Sequence, residues 1–142
     1  MNNAVSSNKL TITSLFESLQ DPQKAQTALT QQVGDHFTWH GPKPFKSCSS
    51  SEDWYSTFWL PFIDAFAGVS RETHMLFGGI SQGKADNSPD GQSWVGATGY
   101  YEGVFSKPWL DFEPTHQVIK MRWGEFFRFE NGKIVEMYTL FD

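Results

Sequence analysis

The sequence has little cysteine, little positive charge and no long hydrophobic run, and each shortage excludes a class of protein. A single cysteine, Cys48, excludes an internal disulfide framework, and no CxxC or Cys/His array supports a zinc site. The net charge of −5 argues against nucleic acid or an anionic membrane as the main partner, because both need a basic face. No stretch approaches transmembrane length, and the N-terminus lacks the uncharged core of a signal peptide. We therefore expect a cytoplasmic protein that uses no metal and no cofactor.

Aromatic residues, by contrast, are abundant. The chain of 142 residues is long enough for one domain, 1–142, with a single substantial core. It contains 13 Phe, 6 Trp and 4 Tyr, which is more than core filling usually needs. Trp and Tyr combine a large apolar body with a polar handle, so this excess suits a ligand cavity or a protein interface.

The first part of the chain has the pattern of helices. Ile12, Leu15, Phe16 and Leu19 form one apolar stripe at helical spacing. The stretch "DPQKAQTAL" provides Asp21 as an N-cap and a proline at the first helical position. A third helix is predicted after "SSSED", with Pro61 kinking or interrupting it. Its apolar stripe has four-residue spacing: Trp54, Phe58, Phe62 and Phe66.

From about Glu72 the pattern changes to strands. Four segments are rich in β-branched and aromatic residues: "ETHMLFGGI", "SWVGATGYYEGVF", "QVIKMRWGEFFRF" and "KIVEMYTLF". Polar, turn-rich connections separate them, including "GKADNSPDGQ". Helices followed by an antiparallel meander predict an α+β domain.

The last two of these strands form a hairpin around "ENG", and two registers are open. A two-residue Asn131-Gly132 turn places Phe127 opposite Glu136, whereas a three-residue loop places Phe127 opposite Val135 and Glu125 opposite Met137. A slip of one residue moves a whole apolar set to the other side of the sheet. Only the three-residue loop joins the apolar sets of the two strands, so it is the predicted one. The residues that it places around the buried face are Met121, Trp123, Phe127, Val135, Met137 and Phe141.

Several stretches resemble the SnoaL-like polyketide cyclase and ester cyclase family of the nuclear-transport-factor-2-like superfamily. They are "FTWHGPKPF", "TGYYEGVF", "PWLDFEPTHQ" and "GEFFRFENGKIVEMYTLFD", and together the resemblance covers about residues 35–142. It implies a cone-shaped α+β domain, in which a curved antiparallel sheet wraps around helices and encloses one deep pocket. It also implies a homodimer through the outer face of the sheet, where Phe126 and Tyr138 would otherwise be exposed.

The resemblance places different chemistry at the catalytic positions. The aspartate that acts as acid and base in the family's aromatic polyketide cyclases falls on Thr139, and a threonine hydroxyl cannot replace it. Two family histidines fall on Glu125 and Tyr101. If the chain is an enzyme, the resemblance implies a lyase, isomerase or cyclase that does not use the authentic cyclase machinery.

Glu125 is the leading candidate for acid/base catalysis. Its same-face neighbours are aromatic, and Arg122 and Arg128 lie on the other face of the strand, so we expect the carboxyl to stay neutral in an apolar pocket. The alternative is a structural glutamate paired with an arginine or a tyrosine hydroxyl. Tyr101 and His40 are the side chains predicted to donate hydrogen bonds to Glu125. In catalysis Tyr101 would donate to a developing oxyanion, and His40 would carry a proton.

The pocket is predicted to hold a small apolar or aromatic molecule. The residues expected to line it are Trp123, Thr139, Met137, Phe127, Met121, Phe58, Phe62 and Trp54. Isomerisation, dehydration, hydration or ring closure without a cofactor would suit one carboxylate with a few hydrogen-bond donors. A non-catalytic binding or interaction module is the alternative, because a fold does not determine a function. An enzyme should present Glu125 to a cavity within reach of Tyr101 or His40, whereas a scaffold should fill that space with side chains.

Overall fold

Three helices precede or interrupt the strands in a computed structural model that describes residues 3–82 and 91–142. Helix α1 spans Asn3–Ser18 and helix α2 spans Pro22–Gln32. Asp21 caps α2 by accepting a hydrogen bond from the Gln23 backbone N–H at 2.9 Å, as its position before Pro22 predicts. The predicted stripe of α1 is buried, and Ala25, Ala28 and Leu29 of α2 are buried as well. The predicted loop at 83–92 lies mostly outside the described residues.

The third helix is continuous but irregular. It consists of Ser51–Trp54, a π-helical turn Tyr55–Trp59, and Leu60–Ala65, which together we call α3. The Ser50 side chain caps it by accepting from the Asp53 backbone N–H. Pro61 does not interrupt the helix, because the wider turn precedes it and the chain continues helically to Ala65. Phe66, predicted as part of the helical stripe, instead begins the next strand and is still buried.

A single five-stranded sheet forms the rest of the domain. Its strands are β1 (Val33–His40), β2 (Phe66–Ile80), β3 (Ser93–Phe105), β4 (Val118–Glu130) and β5 (Lys133–Phe141). They are ordered β1-β5-β4-β3-β2, and every pair is antiparallel except β1 with β5. The sheet is curved and does not close, and the helices pack against its concave face, so the α+β cone predicted from the sequence is confirmed.

The predicted register of the final hairpin is wrong, although the predicted face is right. Asn131 and Gly132 form a two-residue turn with φ values of 52° and 75°, the positive values that a type I′ turn requires. A bulge then follows between Arg128 and Phe129, so Phe127 lies opposite Met137 and Glu125 lies opposite Thr139. Beyond the bulge these partners differ from the predicted ones by two residues, and an even shift leaves the side chains there on their predicted face.

The core on the concave face is largely aromatic. Phe58 stacks on Phe62, with ring centroids 5.4 Å apart, and Trp59 and Tyr101 both meet Phe62 nearby. Such ring pairs bury large apolar areas and stabilise the fold by area removed from water and by their geometry. The abundant aromatic side chains therefore fill this core.

Candidate functional site

A buried ion pair lies on the concave face of the sheet. Glu125 Oε1 is 2.7 Å from Arg71 Nη2, and the two side chains are 2% and 5% exposed. Glu125 comes from β4 and Arg71 from β2, and β3 lies between them in the sheet. The expectation that Glu125 has no cationic partner is therefore wrong: an arginine reaches it from another strand, not from its own.

Hydrogen bonds extend from the other oxygen of the carboxylate. The Thr139 hydroxyl donates to Glu125 Oε2 at 2.8 Å, and the indole N–H of Trp39 donates to Thr139 Oγ1 at 2.9 Å. The three side chains are buried, so each bond satisfies a polar group that water does not reach. Thr139, onto which the sequence resemblance places a catalytic aspartate, links Trp39 and Glu125 here.

Arg71 is held between aromatic rings. Its Cζ atom lies 3.6 Å from the ring centroid of Phe16 on one side and 3.6 Å from that of Trp123 on the other. These distances are within the range of cation–π attraction, which is stronger where water is excluded. Arg71 Nη1 also donates to Tyr101 Oη at 2.5 Å. The guanidinium is therefore the centre of the buried polar cluster, which we define as Arg71, Glu125, Tyr101, Thr139 and Trp39.

Some polar atoms at this cluster have no hydrogen-bond partner within 3–82 and 91–142. They are Arg71 Nε, Arg71 Nη2, Glu125 Oε1 and Trp123 Nε1. Arg71 Nη2 and Glu125 Oε1 attract each other as charges at 2.7 Å without the alignment of a hydrogen bond. Arg71 Nε and Trp123 Nε1 are buried donors without an acceptor, which is costly and uncommon.

Tyr101 is a hydrogen-bond donor at any moderate pH. Burial is the largest influence on its hydroxyl and raises the pKa well above its usual value. The charge of Arg71 lowers this pKa only in part, and the charge of Glu125 raises it further. Because Tyr101 Oη accepts from Arg71, its own hydrogen is directed elsewhere.

His40 lies on the opposite, convex side, and the prediction that it donates to Glu125 is wrong. Its Nε2 is 2.8 Å from Glu136 Oε2, and its ring stacks on Tyr138 with centroids 4.2 Å apart. Arg128 Nε and the Tyr138 hydroxyl also donate to Glu136, at 3.0 Å each. Burial alone would raise the pKa of Glu136, but the bonds from Arg128, His40 and Tyr138 outweigh burial and hold that pKa below its usual value.

The eight residues predicted to line a pocket are in the interior of the cone or at its rim. Most are fully buried and pack against other aromatic and aliphatic side chains, and Met121 is partly buried against the same core. Their contact with a ligand stays a prediction. The set is Trp123, Thr139, Met137, Phe127, Met121, Phe58, Phe62 and Trp54.

An open cleft of about 650 Å³ lies beside this interior, between α1 and β2. Arg71 and Phe16, two groups that meet at the cluster, both line it. About half of its lining residues are apolar, and the polar ones include Glu17 and His74. We call it the α1–β2 cleft, and its lining residues are Ile12, Thr13, Phe16, Glu17, Gln20, Val69, Ser70, Arg71, Thr73, His74, Met75, Leu76 and Ala97.

A second hollow of about 620 Å³ lies on the convex face. It is largely apolar and is lined by His40, Gly41, Trp94, Phe126, Tyr138, Thr139 and Leu140. Its carboxylate neighbour, Glu136, already accepts hydrogen bonds from three side chains. The α1–β2 cleft is therefore the better candidate for polar chemistry, because Arg71, which lines it, has a buried donor without an acceptor among the described residues.

Other groups with reactive side chains lie apart from the cleft. Burial, together with a smaller effect of the nearby Asp53, raises the pKa of the Cys48 thiol to about 11, so the thiol is a poor nucleophile. Within the described part of the chain, no three His, Cys, Asp or Glu side chains come together as metal ligands. No helix among those residues is long and apolar enough to cross a membrane.

Arg71 is the residue of the candidate site that the sequence does not reveal. The predicted strand begins at Glu72, whereas β2 begins six residues earlier at Phe66. Bulges between Ala67 and Ser70 and between Thr73 and Met75 interrupt the alternation that identifies a strand. The signal in the sequence is a lone arginine beside a strand pattern, whereas Arg122 and Arg128 lie on β4, the strand of Glu125 itself.

Comparison with known proteins gives a fold and no closer relationship. No family model matches the sequence, and no curated protein matches it. Solved structures do match, including a proposed SnoaL-like polyketide cyclase from Jannaschia sp. CCS1, with a TM-score of 0.78 at 15% identity over 100% of this chain and 90% of that one.

Two further solved structures agree. IdmH, a proposed polyketide cyclase from Streptomyces antibioticus, has a TM-score of 0.68 at 19% identity and covers 95% of this chain and 91% of its own. An NTF2-like protein from Burkholderia thailandensis E264 has a TM-score of 0.66 at 13% identity, covering 95% and 90%. The resemblance seen in the sequence is thus matched in three dimensions, and the chain has the fold of the SnoaL-like polyketide cyclases and NTF2-like proteins.

Proposed function

We propose that the protein binds a small, largely apolar or aromatic molecule in the α1–β2 cleft. The observation that carries the proposal is Arg71, a buried arginine that lines the cleft and has a donor, Nε, without an acceptor in the described structure. Ligand sites are typically concave and apolar, with a few polar groups that fix orientation, and the cleft's volume of about 650 Å³ is in their usual range.

The ligand would rest on apolar side chains and make its polar contact at Arg71. Leu76, Val69 and Ala97 present such side chains from the sheet, and Ile12 presents one from α1. The interior beyond Arg71 is filled by aromatic rings, which favours binding beside the cone over binding deep inside it. The comparisons support this proposal only through the fold, which proposed polyketide cyclases and a proposed hydroxylase also have.

The test is a titration with 2-acetylnaphthalene, a neutral aromatic ketone, followed by two-dimensional amide NMR. Signals of 69–76 and 12–20 should shift together as the probe binds. Thr13→Trp, which places a bulky ring at the cleft, should weaken binding at least about tenfold because the ring occupies the ligand's volume. If the shifts instead centre on the convex hollow around Phe126, the proposed site is wrong.

Thr30→Trp is a matched control for Thr13→Trp. Both threonines are exposed on helices, and each donates its hydroxyl to the carbonyl four residues earlier, Thr13 to Lys9 and Thr30 to Gln26. Thr30 does not line the cleft. The Thr30 variant should bind the probe as the wild type does, which separates blocking of the cleft from a general effect on a helix.

Acid/base turnover is the second candidate function, and one observation favours it. Glu125 and Tyr101 both contact Arg71, so a carboxylate and a protonated hydroxyl meet at one cation. Such a set would let Glu125 remove a proton next to a carbonyl while Tyr101 donates to the developing oxyanion. The assay is exchange of the acetyl methyl protons of 2-acetylnaphthalene for deuterium in D₂O, and Glu125→Gln should abolish any catalysed exchange. Exchange that persists unchanged in that variant would exclude Glu125 as the base.

A homodimer through the convex face is a separate proposal. Phe126, Tyr138 and Leu140 are 47%, 40% and 67% exposed there. A contiguous apolar patch of this kind is unusual on a monomer. Sedimentation equilibrium at micromolar concentration should give the dimer mass, and Phe126→Glu should give the monomer. Phe112→Glu, a change of an exposed phenylalanine outside the sheet, should leave the dimer intact. A monomeric wild type would contradict this proposal.

A further inference from the structure

We propose that the α1–β2 cleft selects neutral molecules that carry a carbonyl oxygen and discriminates against carboxylates. The proposal rests on the proposed function, since it assigns a ligand class to the same cleft. It is carried by the state of Arg71, whose charge is already balanced by a carboxylate of this chain although one of its donors is not used.

The charge balance argues against an anionic ligand. An arginine that lines a cleft normally attracts carboxylates, because its planar donors match their two oxygens. Here Glu125 Oε1 is only 2.7 Å from Arg71 Nη2, and both groups are almost fully buried. A ligand carboxylate would lose its water without meeting a net positive charge, and it would also lie near Glu125 itself.

Charges around the cleft do not supply the missing attraction. Glu17 is an exposed carboxylate in the lining, and His74 is paired with Glu72 at 3.1 Å. Among the described residues that line the cleft, Arg71 is the only arginine or lysine. The potential at the cleft is therefore neutral to negative, in keeping with the net charge of −5.

The unused donors argue for an acceptor oxygen. Arg71 has five N–H hydrogens on three nitrogen atoms. Nη1 donates to Tyr101, and Nη2 faces Glu125. Nε lacks an acceptor within the described residues. Trp123, whose ring lies against the guanidinium, has a second buried N–H in the same condition. A carbonyl oxygen accepts hydrogen bonds without bringing a charge or a further hydrogen that needs its own acceptor. It therefore fits the cleft better than a carboxylate or an alcohol.

The experiment compares two probes with the same ring system, 2-acetylnaphthalene and 2-naphthoate, on the whole protein. In the wild type the ketone should bind at least about tenfold more tightly than the carboxylate. In Glu125→Gln the charge of Arg71 is no longer balanced, so the preference should move by about tenfold or more toward 2-naphthoate. Arg71→Met should weaken binding of the ketone. Combined with Glu125→Gln, it should abolish the shift of preference toward 2-naphthoate.

Glu17→Gln is the matched control, because it removes the same charge from the cleft without touching Arg71. An exposed charge is screened by water and salt, so this variant should change the preference by less than about threefold. Preferences that move equally in Glu17→Gln and Glu125→Gln would show that overall charge, and not the ion pair, determines selection, and would overturn the inference.

Failure of the inference and failure of the proposed function give different results. Equal or tighter binding of 2-naphthoate to the wild type overturns the ligand class but leaves the cleft as a binding site. Binding of neither probe up to its solubility limit overturns both. The wild-type comparison decides the matter alone if Glu125→Gln does not fold.

Discussion

The two faces of the sheet each carry a glutamate paired with an arginine, and the pairs differ in depth and origin. Glu125 and Arg71 on the concave face are 2% and 5% exposed, whereas Glu136 and Arg128 on the convex face are 20% and 19% exposed. Arg128 lies directly opposite Glu136 across the final hairpin, but Arg71 comes from the edge strand β2. The convex pair is a contact between neighbouring strands at a partly exposed surface. The concave pair forms only when β2 and β4 are both in place in the sheet.

This difference in depth determines what each pair does. Three donors already satisfy Glu136, which is also partly exposed, so removing one partner leaves alternatives. Around Glu125 and Arg71 there is almost no water, so the remaining partner would be an uncompensated buried charge. Breaking the buried pair should therefore destabilise the fold, whereas breaking the convex pair should alter only a surface contact.

Removing the buried cation should give the largest effect. Arg71→Met should lower the free energy of unfolding by about 3–5 kcal/mol, because it leaves the Glu125 carboxylate buried and unpaired. Arg128→Met, the same change on the convex face, should cost about 1 kcal/mol or less. Urea denaturation measures both, and equal losses would mean that burial does not distinguish the pairs.

Removing both buried charges should recover much of that loss. Arg71→Met combined with Glu125→Gln leaves no unpaired charge, so the double variant should be at least about 1 kcal/mol more stable than Arg71→Met alone. The corresponding convex pair, Arg128→Met with Glu136→Gln, should be close to additive. A double-mutant cycle by urea denaturation gives both coupling energies, and additivity on the concave face would argue against a direct ion pair there.

A smaller loss is expected when the bridging hydroxyl is removed. Thr139→Val leaves Trp39 Nε1 without its acceptor and Glu125 Oε2 without its donor, so it should cost about 1–3 kcal/mol. Thr98→Val is the control, since that threonine is only partly buried and donates to one backbone carbonyl, of Trp123. Thr139→Val should have a lower melting temperature than Thr98→Val in thermal unfolding. The reverse order would contradict the hydrogen-bonded link.

The smallest effect concerns acid pH on the convex face. The pKa of Glu136 is lower in the folded protein than its usual value of about 4.5, so the carboxylate form stabilises the fold above that pH. This stabilisation should be lost as pH falls below about 4.5 and through the folded pKa. Glu136→Gln should lower the melting temperature slightly at pH 7, where the variant lacks this stabilisation, and should reduce the further fall over that acid range. If the melting temperature of the variant falls with acid pH as that of the wild type does, the three bonds do not lower the pKa of Glu136.

The comparison of faces also explains which features the sequence could predict. Alternation along β4 and β5 identifies the buried face correctly even though the hairpin partners are wrong, because an even shift preserves the face. The burial of Glu125 follows from its aromatic neighbours. Its partner does not follow, since pairing across two strands depends on the bulges in β2, which have no simple pattern.

His40 illustrates the same limit on the convex face. His40 is the last residue of β1, and the side of the sheet to which its ring turns decides which groups it meets. In a strand, one residue of slip decides the face, and the parallel register of β1 on β5 shifts between Val33 and Thr38. The ring therefore meets Glu136 and Tyr138 instead of Glu125.

The central claim is that Arg71 presents an unused N–H to a ligand in the α1–β2 cleft, and its side-chain NMR signal tests this directly. The Nε–H signal of Arg71, assigned by its loss in Arg71→Lys, should be followed while 2-acetylnaphthalene is added. A carbonyl oxygen that accepts from Nε should move this signal in step with the backbone signals of 69–76, with one common Kd. A signal that stays unchanged at saturation, while those backbone signals move, would contradict the claim.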